Sequence, residues 1–485
     1  MPPASGPSST FAAPTDHGSE PPWLIHRIVS TKAASAASRT RTVVTVVLSA
    51  NRGHVGARAT RPLGGAVVAA RESSQRVQYL ATMDDDLLAR LTATYRDLHR
   101  HPELSMQEHR TAGIVAAWLR DLGHEVVEGV GGTGVVGILH NGPGPTVMLR
   151  ADMDALPVAE ATGLPYSSTV EGVMHACGHD VHVTCLLGAA TALDAGRDGW
   201  GGTLVCLFQP AEETVRGARA MVDDGLFTRV PRPDVVLGQH VAPLPAGTLG
   251  LRTGPAFAAT DSLRVTLHGA GGHGSRPEAT VDPVVMAAAT VLRLQTLVSR
   301  EVAATDTAVV TVGALNTGTK ANIIPDRAEL LLSVRSYDEA VRAHLLEAIG
   351  LVVRAEAEAS RAPREPDIEV VESAPAVVND LAAAERTRTA LQGVVGAPRL
   401  VDPGPVTGSE DVGVLAAAVE APLVFWLLGG ADPAAFAGAT TSEQLRRVVA
   451  GIPSNHSPHF APVEEPTLRI GVEALTAAAT QWFSP

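Results

Sequence analysis

The pattern of hydrophobic positions predicts an α/β arrangement in the first half of the organised chain. Apolar residues recur at helical spacing in the segments 84–101 and 107–122, and Pro102 and Gly123 stop these two predicted helices. Helical stretches such as 182–195 then alternate with short apolar runs. Those runs, which are the predicted strands, cover residues 134–140, 146–150, 203–208 and 235–238. Strands that alternate with helices favour a mainly parallel sheet.

The hydrophobic pattern changes near residue 260 and predicts a second, smaller domain. Predicted strands and helices follow in the order β-α-β-β-α over residues 262–267, 282–302, 308–312, 327–334 and 337–357. This order is typical of a small α+β domain. We therefore expect residues 260–372 to be inserted into a larger domain that residues 83–259 and 373–485 form together.

Residues 1–82 lack this organisation. They are rich in Ala, Ser, Pro, Thr and Arg and show no sustained period. Such a stretch cannot bury enough apolar surface to offset the entropy lost on ordering. We expect a disordered extension, or upstream sequence included by a wrong start codon. A targeting peptide is the alternative, which Asp16, Glu20 and Glu72 disfavour.

Composition and charge narrow the function classes. The chain has 485 residues, of which 45% are hydrophobic and 18% charged, as in a soluble protein of two domains. Its net charge of −13 argues against a nucleic-acid partner. No run approaches the roughly 20 apolar residues that a membrane span needs. The sparse cysteines, Cys177, Cys185 and Cys206, form no disulfide framework and favour a reducing, cytoplasmic location.

Two metal-ligand residue types stand two positions apart in the segment 174–180. Cys177 and His179 offer a thiolate and an imidazole, which are both ligands for zinc and its neighbours. Gly178 lets the backbone bend between them. The alternative is a cysteine packed at a helix start beside a surface histidine, and the pair alone leaves both interpretations open.

A pair of adjacent carboxylates, Glu212 and Glu213, follows the predicted strand 203–208. Adjacent side chains point in different directions, so one carboxylate can bind a metal while its neighbour faces a bound water. A solvated acidic turn is the alternative interpretation.

Further ligand types lie at the ends of other predicted strands. Asp152 and Asp154 close the strand 146–150, His240 ends another strand, and His456 lies close to the C-terminus. Open α/β sheets place their sites at the carboxyl ends of strands. The complete set of thiol, imidazole and carboxylate groups therefore indicates a metal site.

The segments that carry these residues, with others along the chain, read LHRHPELS (98–105), RADMDALP (150–157), HACGHD (175–180), PAEE (210–213), GGHG (271–274), NIIP (322–325), SED (409–411) and HSP (456–458). In composition and order they resemble the motifs of the metallopeptidase M20 family, in its amidohydrolase branch. That branch holds hippurate hydrolases, N-acyl-amino-acid amidohydrolases and plant auxin-conjugate hydrolases.

The resemblance implies a fold and a metal centre. The fold is a metal-dependent exopeptidase-like catalytic domain with a mainly parallel sheet, plus an inserted α+β domain at 260–372 that acts as a lid and joins two subunits in a homodimer. The centre holds two divalent metal ions per subunit, manganese or zinc, with cobalt or nickel as alternatives. By position, its ligands would be Cys177, His179, Glu213, His240 and His456, with Cys177 bridging the ions.

The resemblance also implies a reaction, the hydrolysis of N-acyl amino acids by a metal-activated water. Glu212 would be the general base, and Asp154 would orient a metal ligand. In the inserted domain, His273 would stabilise the oxyanion, and with Asn322 it would contact the substrate. Arg335 would bind the substrate carboxylate.

Two other functions stay open at this point. One is a dipeptidase of the same family. The other is a metal-dependent binding protein that has lost catalysis. Glu212 argues against the binding protein, because a pure binding site does not need a base beside its ligand.

The chain departs from the family in two places near the expected acyl pocket. Val412 stands where the family usually has an aromatic residue, and a longer Ala- and Thr-rich segment, 431–452, precedes His456. His459 is a rival to His456 as a ligand, although the motif favours His456. His182 is expected to pack behind the ligands.

Overall fold

The computed structural model describes residues 83–439 and 441–484. The helices are α1 (Asp85–Arg100), α2 (His109–Asp121), α3 (His179–Ala195), α4 (Gly217–Asp223), α5 (Leu226–Arg229), α6 (Pro283–Glu301), α7 (Glu339–Ala359), α8 (Leu381–Val395), α9 (Val412–Ala418), α10 (Ser442–Gly451) and α11 (Glu464–Phe483). The expected N-terminal extension, residues 1–82, lies outside the described residues.

The strands of the described chain belong to two larger and two small sheets. They are β1 (Glu125–Val130), β2 (Gly134–Asn141), β3 (Thr146–Asp152), β4 (Gly202–Gln209), β5 (Val235–Pro245), β6 (Leu249–Gly250), β7 (Gly254–Phe257), β8 (Ala259–His268), β9 (Gly272–His273), β10 (Ala308–Thr317), β11 (Ile323–Ile324), β12 (Arg327–Ser336), β13 (Asp367–Ala374), β14 (Val377–Asn379), β15 (Leu400–Val401) and β16 (Leu423–Ala431).

Local sequence explains where the first helix begins and ends. The side chain of Asp84 accepts a hydrogen bond from Leu87 N at 2.7 Å and caps the N-terminus of α1. Asp85 and Asp86 in the first turn complement the helix dipole. Pro102 then prevents the helix from continuing.

The larger sheet has parallel strands at its centre. Its order is β1-β2-β4-β3-β5-β16-β6-β15. β3 pairs in parallel with β4 and β5, and β5 pairs in parallel with β16, whereas β2 is antiparallel to β1 and β4. The central strands are almost continuously buried, as expected where helices cover both faces of a sheet.

Successive residues of the central strands pack into two different cores. On β3, Val147 and Leu149 belong to a core with residues of α1, α2, α3, α8 and α11. Met148, between them, belongs to a core with residues of α4, α5 and α9. The larger sheet therefore has helices on both faces.

The second large sheet is antiparallel and has its own core. Its order is β10-β12-β8-β13. α6 and α7 cover one face, where Leu294 and Leu345 pack with Leu330 of the sheet. Residues of β12 alternate between this buried face and the opposite face, on which Leu331 is 37% exposed.

The chain enters and leaves this second sheet along neighbouring strands. β7 and β14 form a two-stranded antiparallel sheet in which Pro255 pairs with Val378. Directly beyond it, β8 and β13 pair, with Thr260 opposite Ala374. Both connections to the larger sheet therefore lie side by side.

The predicted fold class is confirmed, with one correction to a strand. β5 does not end at His240 but continues to Pro245, because β16 keeps pairing with it as far as that residue. The limits 83–259, 260–372 and 373–485 stay a prediction. No helix among the described residues is long and apolar enough to cross a membrane.

Replacing Leu330 tests the separate core of the second sheet. Leu330→Ala should lower the free energy of unfolding by about 2–5 kcal/mol, because its side chain is fully buried. The adjacent Leu331→Ala is the matched control and should change stability by less than about 0.5 kcal/mol. Chemical denaturation measures both variants, and equal losses would contradict the assigned faces of β12.

Candidate metal centre

The candidate ligands come together at the carboxyl ends of the central parallel strands. Asp152 is the last residue of β3, and Glu212 and Glu213 follow the end of β4. His240 lies within β5, and His456 follows β16. Because these strands are parallel, their carboxyl ends meet at one edge of the sheet.

Cys177 and His179 reach this edge through a tight turn at Gly178. Gly178 has a φ of 84° and precedes His179, the first residue of α3. A Cβ atom at position 178 would lie 2.3 Å from Val241 Cγ1, so the turn can approach β5 only with glycine there. Asn455 Nδ2 donates to the main-chain oxygens of Cys177 and Val241, each at 3.1 Å.

The five predicted metal ligands form two groups that share Cys177. One group contains His179 and His240, and the other contains Glu213 and His456. Within each group the ligand atoms lie within 4.8 Å of one another. Cys177 Sγ is 3.5 Å from His240 Nε2, and His456 Nε2 is 3.3 Å from Glu213 Oε2. Cys177 therefore lies where a thiolate could bind one cation from each group.

Asp154 lies between His179 and the turn that carries the two glutamates. Its Oδ1 is 3.3 Å from His179 Nδ1. Its two oxygens also accept hydrogen bonds from the main-chain nitrogens of Glu212 and Glu213, each at 3.1 Å, and Ser105 Oγ donates at 2.6 Å. A carboxylate in this position fixes the orientation of the imidazole.

His182 and His459 are both engaged elsewhere. His182 Nδ1 lies 2.5 Å from Asp152 Oδ1, and its Nε2 accepts from Val241 N at 2.7 Å. Both ring nitrogens of His182 therefore already have hydrogen-bond partners. With Asp152 and His179, however, His182 forms a further group of side chains that could hold a metal ion. His459 Nδ1 lies 2.8 Å from the main-chain oxygen of Ala161.

Glu212 is buried among other acids, and its pKa is raised well above the usual value. Burial is the main cause, and the negative charges of Glu410 and Glu213 add to it. Glu212 Oε2 is 3.8 Å from His179 Nε2, so the carboxyl borders the ligand groups. A carboxyl whose pKa is moved towards neutrality can accept and return a proton at physiological pH.

Burial also raises the pKa of the Cys177 thiol, and the neighbouring Glu213 raises it further. The thiol therefore keeps its proton at neutral pH when no cation is near. Because the thiolate is the form that binds metal, a cation held by Cys177 would displace that proton.

A buried arginine neutralises part of the negative charge beside the site. Arg150 is 1% exposed, and its guanidinium lies 2.6 Å from Asp152 Oδ2, 2.7 Å from Glu410 Oε1 and 3.3 Å from Asp411 Oδ1. Burial opposes its charge, but Glu410 and Asp152 raise the pKa of Arg150 by more. Sequence reasoning quoted Arg150, Glu410 and Asp411 within motifs and assigned them no role, and it treated Asp152 as a candidate ligand type. The sequence signal for a buried ion pair was an arginine in one apolar segment and two acids beside another.

The first motif, residues 98–105, supports the start of α3. His99 Nδ1 lies 2.7 Å from Asp180 Oδ2, and its Nε2 lies 3.3 Å from Glu160 Oε1. Burial disfavours the charged ring, but hydrogen bonds to both carboxylates raise the pKa of His99 to about 10. Asp180 follows His179, so this buried ion pair fixes the turn that presents His179. Sequence reasoning missed this role as well.

The three predicted substrate contacts lie apart from the ligand groups. His273 is exposed on β9, with Nδ1 2.7 Å from Ser275 Oγ, and Asn322 is exposed just before β11. Arg335, on β12, donates a hydrogen bond to Ser409 Oγ. Within the described part of the chain, no hydrogen bond or ion pair joins these three residues to the predicted metal ligands.

The fold and the site together define a class of protein. An α/β sheet with thiol, imidazole and carboxylate groups at its strand ends is typical of metal-dependent hydrolases. The sequence model of the family described as peptidase family M20/M25/M40 matches residues 148–481 of this chain. The chain therefore belongs to this family, which confirms the family predicted from its motifs.

Curated relatives share much of the chain. A protein named thermostable carboxypeptidase 1, from Saccharolobus solfataricus, is 36% identical over 393 residues, which are 80% of this chain and 94% of the relative. An N-acetyl-L-cysteine deacetylase from Bacillus subtilis is 36% identical over 350 residues, 72% of this chain and 81% of the relative. A hippurate hydrolase from Campylobacter jejuni is 45% identical over 259 residues, 53% of this chain and 67% of the relative.

A solved structure supports the same classification. The dinuclear metal-binding M20 peptidase YXEP of Bacillus subtilis has a TM-score of 0.65 and 29% identity, and the match covers 82% of this chain and 98% of that protein. The family match and the named relatives confirm the predicted enzyme class, an amidohydrolase of the M20 family.

Adding a methyl group at Gly178 tests the turn between the two ligands. Gly178→Ala should lower stability and metal content, because the new Cβ would meet Val241 in a positive-φ conformation. Gly172→Ala is the matched control: it has a φ of +74° and nothing within 4 Å, so it carries only the conformational cost of about 1–2 kcal/mol. Thermal denaturation and elemental analysis compare them, and equal behaviour would contradict the close approach.

Proposed function

We propose that this enzyme hydrolyses the amide bond of N-acyl amino acids with the help of two divalent cations. The observation that carries the proposal is the pair of ligand groups that share Cys177. His179 and His240 complete one group, and Glu213 and His456 complete the other. The M20 motifs point to the same five residues by position, so geometry and sequence support one assignment.

The donor atoms of these groups fit divalent cations. His179 Nε2 and Glu213 Oε1 are buried and have no hydrogen-bond partner among the described residues. A buried polar group without a partner costs about 1–3 kcal/mol, which a bound cation would remove. Thiolate, imidazole and carboxylate together suit manganese or zinc, with cobalt or nickel as alternatives.

The residues around the ligands support a hydrolytic mechanism. Cations bound there would lower the pKa of an attacking water and polarise the scissile carbonyl group. Glu212 accepts the proton of that water and returns it to the leaving amine, a role that its raised pKa supports. Asp154 holds the His179 ring in orientation and the Glu212 main chain in place.

The names of the relatives guide the choice of substrate. One relative is named N-acetyl-L-cysteine deacetylase and another hippurate hydrolase. We infer substrates of the same kind, N-acetyl or N-benzoyl amino acids. A relative of equal identity is named carboxypeptidase, so cleavage of dipeptides is the second candidate.

We also propose that the enzyme works in the cytoplasm. Cys177, Cys185 and Cys206 are all unpaired. A reducing compartment keeps such thiols in that state.

Replacing each adjacent glutamate by glutamine separates the base from the ligand. Glu212→Gln should lower kcat at least ~10²-fold with metal content unchanged, because an amide cannot accept the proton. Glu213→Gln should lower both metal content and kcat, because its carboxylate lies in a ligand group. The measurements are elemental analysis and kcat with N-acetyl amino acids, N-benzoyl amino acids and dipeptides.

Chelation of the wild-type enzyme is the control for this pair. Activity should disappear on chelation and return with manganese or zinc. Full activity in metal-stripped enzyme would contradict the proposed function, and the reverse pattern in the two variants would exchange their roles. Faster cleavage of dipeptides than of N-acyl amino acids would select the second candidate.

We further propose that two subunits pair through residues 260–372. β10 is an edge strand of the second sheet, and exposed apolar side chains lie on it and on α6. They are Val309 and Leu315 on β10, and Val285 and Leu292 on α6. A second copy of this surface would cover both the unpaired strand edge and the apolar side chains.

In such a dimer, His273 serves the partner subunit. Its side chain is exposed on β9, and within its own chain it contacts Ser275 rather than a metal ligand. We propose that His273 donates to the carbonyl oxygen of a substrate bound by the other subunit. Asn322, whose main-chain oxygen accepts from Gly274 N, would contact that substrate beside His273. Arg335, which donates to Ser409 of its own chain, would bind the substrate carboxylate.

Mixing two inactive variants tests this role of His273. Combining His273→Ala chains with Glu212→Gln chains should restore roughly a quarter of wild-type activity, since about half of randomly exchanged dimers are mixed and each has one complete site. Activity is assayed after subunit exchange has been demonstrated with labelled chains. No recovery would mean that His273 acts within its own chain or has no catalytic role.

A further inference from the structure

The turn that carries Glu212 and Glu213 is held in place by buried carboxylates. We call residues 210–217 the base turn. The main-chain nitrogens of Glu212 and Glu213 both donate to Asp154, as described above. The nitrogen just before them, on Ala211, donates to Glu108 Oε1 at 2.8 Å. Three consecutive N–H groups therefore depend on two acids from other parts of the chain.

The base turn has a backbone conformation that its own residues do not favour. Ala211 and Val215 have positive φ angles of 50° and 55°, which side chains other than glycine rarely adopt. At Gly217, an added Cβ would lie 1.5 Å from the main-chain oxygen of Pro210. Within the turn, Val215 N donates to the main-chain oxygen of Glu212 at 2.7 Å, and contacts from outside add to this hydrogen bond in holding a strained and crowded conformation.

Glu108 is suited to be such a contact because it is itself immobilised. Its side chain is fully buried, and the residue stands at the N-cap position of α2. The same oxygen that accepts from Ala211 also accepts from Met106 N at 3.0 Å, and Thr133 Oγ1 donates to the other oxygen. Both oxygens of Glu108 are thus fixed by groups on two other segments.

We propose that Glu108 is a positioning residue that sets the place of the general base Glu212 by holding the peptide group before Ala211. The inference rests on the proposed function, because that function assigns the base to Glu212. A catalytic group displaced by about 1 Å can lose roughly 10²-fold in rate. Glu108 acts through the backbone and does not touch the reacting atoms.

Glu108 differs from Asp154 in a way that makes its effect measurable. Asp154 contacts His179, so its loss would disturb the metal ligands as well as the base turn. The hydrogen bonds of Glu108 go to Ala211, Met106 and Thr133, none of which is a predicted ligand. Loss of Glu108 should therefore change kcat without changing metal content.

The first test is Glu108→Gln in the full chain with its metals. The amide keeps one acceptor oxygen, so one of the donors loses its partner. We expect kcat to fall about 10-fold or more, KM to stay within about twofold and metal content to be unchanged. Asp261→Asn is the control for a loss of stability alone. It neutralises another buried carboxylate, which accepts from Arg342 in the second domain, and it should keep kcat within about twofold.

A double-mutant cycle separates positioning from a general structural effect. If Glu108 acts through Glu212, Glu108→Gln should have no further effect on kcat in a Glu212→Gln background. An equal fold-change in both backgrounds, or an unchanged kcat in Glu108→Gln, would overturn the inference. The base assignment is tested separately: if Glu212→Gln alone leaves kcat unchanged, Glu212 is not the base and the inference fails with that assignment.

A milder variant keeps the test decisive if Glu108→Gln does not fold. Thr133→Val keeps the shape of the side chain and removes the hydroxyl that donates to Glu108. Thr133→Val should lower kcat several-fold with metal content unchanged. Thr133→Ser keeps the hydroxyl, so its kcat should stay close to the wild-type value. Equal kcat in these two variants would also overturn the inference.

Discussion

The ion pairs of the buried Arg150 side chain are the interactions on which the arrangement of the site depends. On its own strand Arg150 binds Asp152, and on the segment before α9 it binds Glu410 and Asp411. Its Nε also donates to Gln209, the last residue of β4, at 2.9 Å. A buried charge that lost these partners would be strongly destabilising. The ends of β3 and β4 and the segment 409–411 are therefore fixed relative to one another.

The same network explains how so many acids can lie close together. Burial outweighs the nearby arginine and raises the pKa of Glu410 to about 8 and that of Asp411 to about 6. The positive charge of Arg150 opposes this effect, because it lowers the pKa of both acids. The Glu212 carboxylate groups with Glu410 and Asp411, whereas that of the adjacent Glu213 also groups with Cys177 and His456. A divalent cation held by these groups would balance the charges of Glu213 and of a Cys177 thiolate.

The sequence predicted those parts of the fold and site that depend on local pattern, such as the alternation of strands and helices and the ligand types that follow the strands. It did not predict that β5 continues past His240, because that extension depends on pairing with β16. It did not assign roles to Arg150 or Glu108 either. Their partners, Glu410 and Ala211, are distant in sequence and become neighbours only in the folded chain. Such contacts are properties of the three-dimensional fold rather than of any local pattern.

The two connections to the second sheet give the chain a modular construction. Because β7 pairs with β14, and the start of β8 pairs with the end of β13, the inserted unit is attached through two neighbouring strands. The ends of the insertion are therefore about 5 Å apart, the spacing of neighbouring strands. An insertion with adjacent ends can be lengthened, replaced or removed with little disturbance to the sheet that carries it. Sequence change in the second sheet can in this way leave the buried charges and predicted ligands of the larger sheet unaltered.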